Sequence, residues 1–242
     1  MNLLPIFISS FCTALGALPV LFIKNLSHKG KDVLLAYTAG IMVAASAYGL
    51  IPSALKLSNM FVLVIGILIG TFALTLLESL IPHVDFDHSN KHKKTSRSSI
   101  LLFMIAMSFH NLPEGLSVGI SNVSDRQELG TVVAFAIGLQ NIPDGFLIAL
   151  FLVTQNVSRW NAILLASLTA VIELFAGIVG MFFGESFVTI IPYGLAFAAG
   201  SMLFVVYKEL IPESHGDGNE RASTIAFIFG FISMVCLTEW FR

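Results

Sequence analysis

The chain has 242 residues, of which 56% are hydrophobic and only 12% charged, with a net charge of -2. An ordinary soluble domain carries about 25% Asp, Glu, Lys and Arg, so this composition excludes a soluble globular fold and a disordered chain alike. With no basic excess it also excludes a nucleic-acid binder, and what remains is a helical membrane protein of several spans.

Eight apolar stretches follow in chain order, at residues 5–23, 33–51, 60–81, 99–120, 129–153, 162–183, 188–211 and 223–241. Each is about the 20 residues that cross a bilayer core as a helix. None alternates with period two, which argues against a β-barrel. The expected fold class is therefore an all-α integral membrane protein, a single transmembrane domain over residues 1–242 with a polar loop at 82–98. The first stretch has no basic segment ahead of it and reads as a retained span rather than a cleaved signal peptide. Cys12 and Cys236 both lie in apolar runs and form neither a disulfide framework nor a thiolate metal motif.

Lys and Arg set the orientation. With the N-terminus outside, Lys24, Lys29, Lys31, Lys91, Lys93, Lys94, Arg97, Arg159, Lys208 and Arg221 lie on the inner side, ten of the thirteen basic residues. Lys56, Arg126 and Arg242 lie outside. An even number of spans then puts both termini outside and the 82–98 loop in the cytoplasm, and the short loops point to a bacterial inner (plasma) membrane. That loop holds His83, Asp85, Asp87, His88 and His92. It reads either as a solvated positive-inside loop or as one whose histidines capture divalent metal loosely.

Spans two and seven contain an internal repeat. Ala39, Gly40, Met42, Leu50, Ile51 and Pro52 recur 160 residues later as Ala199, Gly200, Met202, Leu210, Ile211 and Pro212. The two spans run in opposite directions, and inverted repeats of this kind are typical of transporters that work around a midplane site.

The middle spans carry the polar groups. Span four contains His110-Asn111-Leu112-Pro113-Glu114-Gly115, and span five contains Gln140-Asn141-Ile142-Pro143-Asp144-Gly145. Residues i and i+4 share a helix face, so His110 projects with Glu114 and Gln140 with Asp144. Face to face, the two helices offer an imidazole, two carboxylates and amide oxygens, a ligand set for a divalent first-row metal. Pro113 and Pro143 free the carbonyls of Phe109 and Leu139. Gly115 and Gly145 allow a neighbouring helix to come close. Glu173 in span six reads either as a bridging ligand or proton acceptor, or as a neutral acid hydrogen-bonded to a neighbouring helix. Glu209 and Glu213, at the inner end of span seven, mark an exit path, whereas Lys208 there fits snorkelling to the headgroups.

These paired motifs, with Glu173, the Ala-Gly and Leu-Ile-Pro stretch of span seven and the His-containing loop after span three, resemble the ZIP (Zrt-, Irt-like protein) metal transporters over nearly the whole chain. The resemblance implies eight spans in a 3+2+3 arrangement, with the outer triplets related by inverted pseudo-symmetry. It also implies a binuclear site between spans four and five. By motif position His110, Glu114, Gln140 and Asp144 hold one metal, and Asn111, Asn141, Asp144, Glu114 and Glu173 surround the second. Two positions depart from the family pattern. Gln140 stands where many members have His, and Asp144, one methylene shorter, stands where Glu is usual; the shorter bridge weakens the second site or shifts metal preference. Lys208 stands where some members have a His.

The expected function is transport of divalent transition-metal ions into the cytoplasm, zinc first, with iron, manganese, cobalt or cadmium as other candidates. The metal is the transported substrate and no cofactor is expected. The expected partners are metal ions, the lipid bilayer and a second copy of the chain. The resemblance suggests an elevator-like or rocking movement of spans one, four, five and six against the rest. Two alternatives stand beside it, a channel-like passive metal pore and an intramembrane metallohydrolase. The hydrolase lacks a His-Glu-x-x-His pattern and a separate general base.

Overall fold

Small polar caps, rather than the edges of the apolar stretches, decide where several helices begin. Ser27 Oγ accepts from the Gly30 amide at 3.1 Å, so the second helix starts at His28, ahead of the apolar stretch at residue 33. Asn59 Oδ1 accepts from the amides of Phe61 and Val62 at 3.0 and 3.1 Å, and Ser158 Oγ accepts from Asn161 at 3.3 Å. Each satisfies amides that a helix start leaves unpaired.

The computed structural model describes residues 3–23, 27–80, 97–123, 127–216 and 218–240. They form eight helical rods, with no strand among the described residues. In chain order these are α1 (Leu4–Leu21), α2 (His28–Leu57), α3 (Met60–Leu80), α4 (Arg97–Asn122), α5 (Gln127–Thr154), α6 (Arg159–Ser186), α7 (Ile191–His215) and α8 (Glu220–Trp240). Six of them, α1, α2, α5, α6, α7 and α8, are long and apolar enough to cross a membrane. The apolar stretch Met60–Leu76 of α3 is shorter, and α4, 26 residues long, carries His110, Asn111 and Glu114 midway along it. His83, His88 and His92 lie outside the described residues, and α4 takes Arg97 and Ser98 from the end of the expected loop.

The repeat has a backbone counterpart. Helix α2 contains a π-helical turn at Ala45–Leu50 and α7 one at Val206–Leu210. The Ile51 amide bonds the Ser46 carbonyl, and the Ile211 amide bonds the Val206 carbonyl, each five residues back. Pro52 and Pro212 follow directly. A proline inside a helix donates no bond and its ring crowds the carbonyl four residues earlier, and a widened turn absorbs that crowding. The equivalent register puts Gly49 in the first turn where Glu209 stands in the second.

Close helix pairs repeat the same offset. The most extensive packing joins α4 to α6, α2 to α8, α1 to α5 and α3 to α7. Gly40 of α2 lies against the Phe227 carbonyl of α8, and Gly200 of α7 lies against the Ile67 carbonyl of α3. Gly230 meets the Tyr37 carbonyl as Gly70 meets that of Phe197. All four pairs of mates differ by 160 residues. In the centre, Gly145 of α5 presses on the Thr13 carbonyl of α1 and Gly115 of α4 on the Glu173 carbonyl of α6, again with α1 and α6 partners 160 apart. Small residues let backbones meet where no hydrophobic force drives helices together. At one end of the bundle Arg159 Nη1 donates to the Leu21 carbonyl at 2.5 Å, tying the start of α6 to the end of α1.

Candidate metal centre

The motif residues lie where α4 and α5 meet α1 and α6. Helices α4 and α5 run on through Pro113 and Pro143, so the i, i+4 relation within each motif holds. Asn111, Glu114, Gln140, Asn141 and Glu173 are all buried, none more than 4% exposed. Between Arg97 and Arg159 the only basic residue in the sequence is Arg126, in the α4–α5 connection. No lysine or arginine of these helices therefore stands at the depth of the carboxylates.

Carboxamides sit on the carboxylates. Gln140 Nε2 donates to Glu114 Oε1 at 2.6 Å, which joins the two motifs directly. Asn141 Nδ2 lies 2.9 Å from each oxygen of Glu173 and 2.9 Å from the Ser9 carbonyl. Thr13 Oγ1 donates to Glu173 Oε2 at 3.3 Å. Glu114 is within electrostatic range of both Asp144 and Glu173. Among the described residues, Glu114 Oε2, Gln140 Oε1 and Asn111 Nδ2 are buried without a hydrogen-bond partner. Two orphaned acceptor oxygens on hydrogen-bonded neighbours are costly unless a cation or a proton donor meets them. This donor set fits a divalent ion, because it combines carboxylate, carboxamide and imidazole groups.

His110 and Asp144 are half-buried and face a cavity of about 290 Å³. Its deep wall includes Met42, His110, Asn111 and Asp144, and its mouth includes His28, Lys31, Thr154 and Glu213. The mouth lies at the end of the bundle where α2 and α4 begin and α5 and α7 finish. Between floor and mouth, His110 Nε2 and Glu209 Oε2 stand 3.4 Å apart. Both acids expected on an exit path, Glu209 and Glu213, line this cavity, whereas Lys208 is exposed and not part of its wall. On the other side of the floor, Leu50, Val133, Ile137 and Met202 border a gap of about 10 Å³, about the room one water needs.

The structure joins Glu114 to Gln140 and Asn141 to Glu173, and sets His110, Asn111 and Asp144 in the wall of the adjoining cavity. It does not bring three His, Cys, Asp or Glu side chains into one tight cluster among the described residues. Amides intervene at Glu114 and Glu173, and His110 leans toward Glu209. Four contributors lie outside the motifs. Ser9 and Thr13 hold Asn141 and Glu173 from α1, and their i, i+4 spacing on the buried face of an apolar helix was the available signal. Met42 and His28 line the cavity with no sequence signature of their own.

A model of the family described as "ZIP Zinc transporter" matches residues 85–238 of the chain. The zinc transporter GufA of Myxococcus xanthus is 36% identical over 238 residues, covering 93% of this chain and 92% of its own length. The zinc transporter ZIPB of Bordetella bronchiseptica is 31% identical over 242 residues, covering 93% of this chain and 76% of its own length. The zinc transporter ZupT of Streptococcus mutans is 26% identical over 244 residues, covering 94% and 92% respectively.

Proposed function

The chain belongs to the ZIP family of zinc transporters, and from that membership we propose that it carries zinc into the cytoplasm through the polar floor of the 290 Å³ cavity. It is an integral membrane protein that transports divalent metal, and it is not an enzyme. The single observation that carries the site assignment is the contact between the two motifs. Gln140 of α5 bonds Glu114 of α4, and one oxygen of each side chain is left buried without a partner.

In this reading the whole chain acts as one transmembrane domain of eight spans in a 3+2+3 inverted arrangement. The 160-residue offset shared by the π-helical turns and the glycine contacts supports it. Both termini lie outside and the cavity mouth faces the cytoplasm, as the basic residues at the starts of α2 and α6 predict. A bacterial inner membrane is the proposed location. A second copy of the chain is a proposed partner, with lipid, for the apolar faces of α3 and α8 that Phe61, Leu68, Phe72, Ile225 and Phe229 expose.

A metal ion entering the floor exchanges water for His110, Glu114, Gln140 and Asp144. Asn111, Asn141, Glu173 and the shared carboxylates of Glu114 and Asp144 surround a second position beside it. The amide of Gln140 turns away from Glu114 so that its oxygen faces the ion, a rotation that costs one hydrogen bond and satisfies two orphaned acceptors. The ion leaves past Glu209 and Glu213. On the far side of the floor the gap of about 10 Å³ has room for about one water. Helices α1, α4, α5 and α6, joined by the glycine contacts at Gly115 and Gly145, are the group expected to move against α2, α3, α7 and α8.

Uptake of radiolabelled zinc into proteoliposomes tests the assignment. His110→Ala and Glu114→Ala abolish uptake while the protein remains in the vesicles. Uptake unchanged in both variants removes the site from this position.

A further inference from the structure

The mouth of the cavity presents a chemical problem for a carrier. His28 and Glu213 line it, and imidazole and carboxylate are each ligands for a divalent ion, although no three such groups form one tight cluster there among the described residues. An exit built this way retains its cargo unless something opposes binding there.

Lys31 stands at that place. It lines the same mouth, and its Nζ lies 2.5 Å from Glu213 Oε1. The two residues come from the first turn of α2 and the last turn of α7, 182 positions apart in sequence. A lysine ammonium has three donors and no lone pair for a metal, so it occupies the carboxylate and adds a positive charge where a cation must pass. From this geometry we propose that Lys31 is a release residue: by holding Glu213 it keeps the acidic mouth from binding the metal that the cavity delivers. The proposal rests on the transport reading above.

The repeat argues against a purely structural role. At the register 160 residues away, Lys31 corresponds to Ile191 and Glu213 to Ser53. Ile191 carries no charge, and Ser53 Oγ donates to the Gly49 carbonyl of its own helix at 2.7 Å. Helices α2 and α7 thus hold the corresponding positions at the opposite end without an ion pair. The side chains of Lys31 and Glu213 are 20% and 32% exposed, and partly exposed pairs add little stability. The charge asymmetry is confined to the end where the acids line the path. Lys208, the cation nearest those acids in sequence, takes no part in this wall.

Two measurements on the full chain test this. Equilibrium dialysis with Zn²⁺ in detergent reads the number of ions retained, and zinc uptake in proteoliposomes reads KM and Vmax. Lys31→Gln retains one more zinc per chain than wild type, and both KM and Vmax fall by about threefold, the scale of losing one partly screened charge. Lys31→Arg keeps the wild-type stoichiometry and KM. Adding Glu213→Gln to Lys31→Gln removes the extra ion. Lys31→Met replaces Lys31→Gln if the latter elutes as aggregate. Wild-type stoichiometry together with unchanged KM and Vmax in the neutral variant overturns the proposal, as does an extra ion that survives the double substitution. A wild-type chain that takes up no zinc in the same vesicles overturns the transport reading instead, and the dialysis arm still decides whether Lys31 keeps zinc off Glu213.

Discussion

His110 Nε2 stands 3.4 Å from Glu209 Oε2, so the imidazole of the α4 motif touches the first acid of α7. The two belong to different helix groups, and the contact crosses the cavity between floor and mouth. It gives the imidazole a partner on the exit side, able to draw it away from a metal on the floor. Glu209→Gln weakens that partner and is expected to slow release, lowering Vmax for zinc uptake by about fivefold with a smaller change in KM, given a partly exposed pair. Initial rates over a range of zinc concentrations in proteoliposomes check it; a large rise in KM at constant Vmax contradicts the exit role.

The Gln140–Glu114 bond makes a separate prediction. Gln140→Ala removes the donor to Glu114 Oε1 and one candidate ligand oxygen together. Removing a group that orients a metal-binding carboxylate costs about tenfold or more in affinity. Calorimetric titration of zinc into the purified variant is expected to show that weakening, and the melting midpoint without metal is expected to fall because a buried carboxylate loses a partner.

Glycine packing separates two substitutions of the same kind. At Gly115 an added Cβ collides with the Glu173 carbonyl, and backbone cannot swing aside as a side chain does. Gly115→Ala is expected to destabilise by about 1–3 kcal/mol, the cost of overpacking. At Gly49 an added Cβ meets nothing within 4 Å, so Gly49→Ala is expected to change stability by less than about 0.5 kcal/mol or to raise it. Melting midpoints in one detergent compare them.

Cavity orientation is accessible to thiol labelling in a Cys12→Ser, Cys236→Ser background. Met107→Cys, on the cavity wall, is expected to react with a membrane-impermeant maleimide applied from the cytoplasmic side of oriented vesicles. Ile137→Cys, beside the 10 Å³ gap, is expected to stay protected from that side. Labelling of Met107→Cys from the outer side alone reverses the orientation.

Local spacing made much of the site legible. The polar-Asn-apolar-Pro-acid-Gly pattern, twice over, fixes which faces of α4 and α5 are polar, because helical periodicity converts sequence distance into a shared face. The 160-residue repeat was legible for the same reason, and it reappears as paired π-helical turns and paired glycine contacts. Contacts between distant helices were not legible. Nothing near Lys31 in sequence names Glu213 as its partner, and nothing near Glu173 names Thr13, because these pairs depend on how helices are arranged rather than on any one helix; only the family resemblance set Asn141 beside Glu173. Helices run past the apolar stretches where a cap lies in polar sequence: Ser27 starts α2 at His28, since hydropathy marks the hydrocarbon layer and hydrogen bonding marks the helix.

The register that sets Glu209 in one π-helical turn and Gly49 in the other bears on kinetics as well as on binding. For any carrier that runs only down the gradient of its own cargo, equal concentrations on the two faces must give zero net flux. The ratio of Vmax to KM is then the same in both directions, whatever the side chains at either mouth. An acidic mouth that half-saturates at lower metal must therefore also be the face from which maximal transport is slower. The asymmetry between the two ends sets the speed of influx and efflux under load and leaves the final distribution of metal to the gradient.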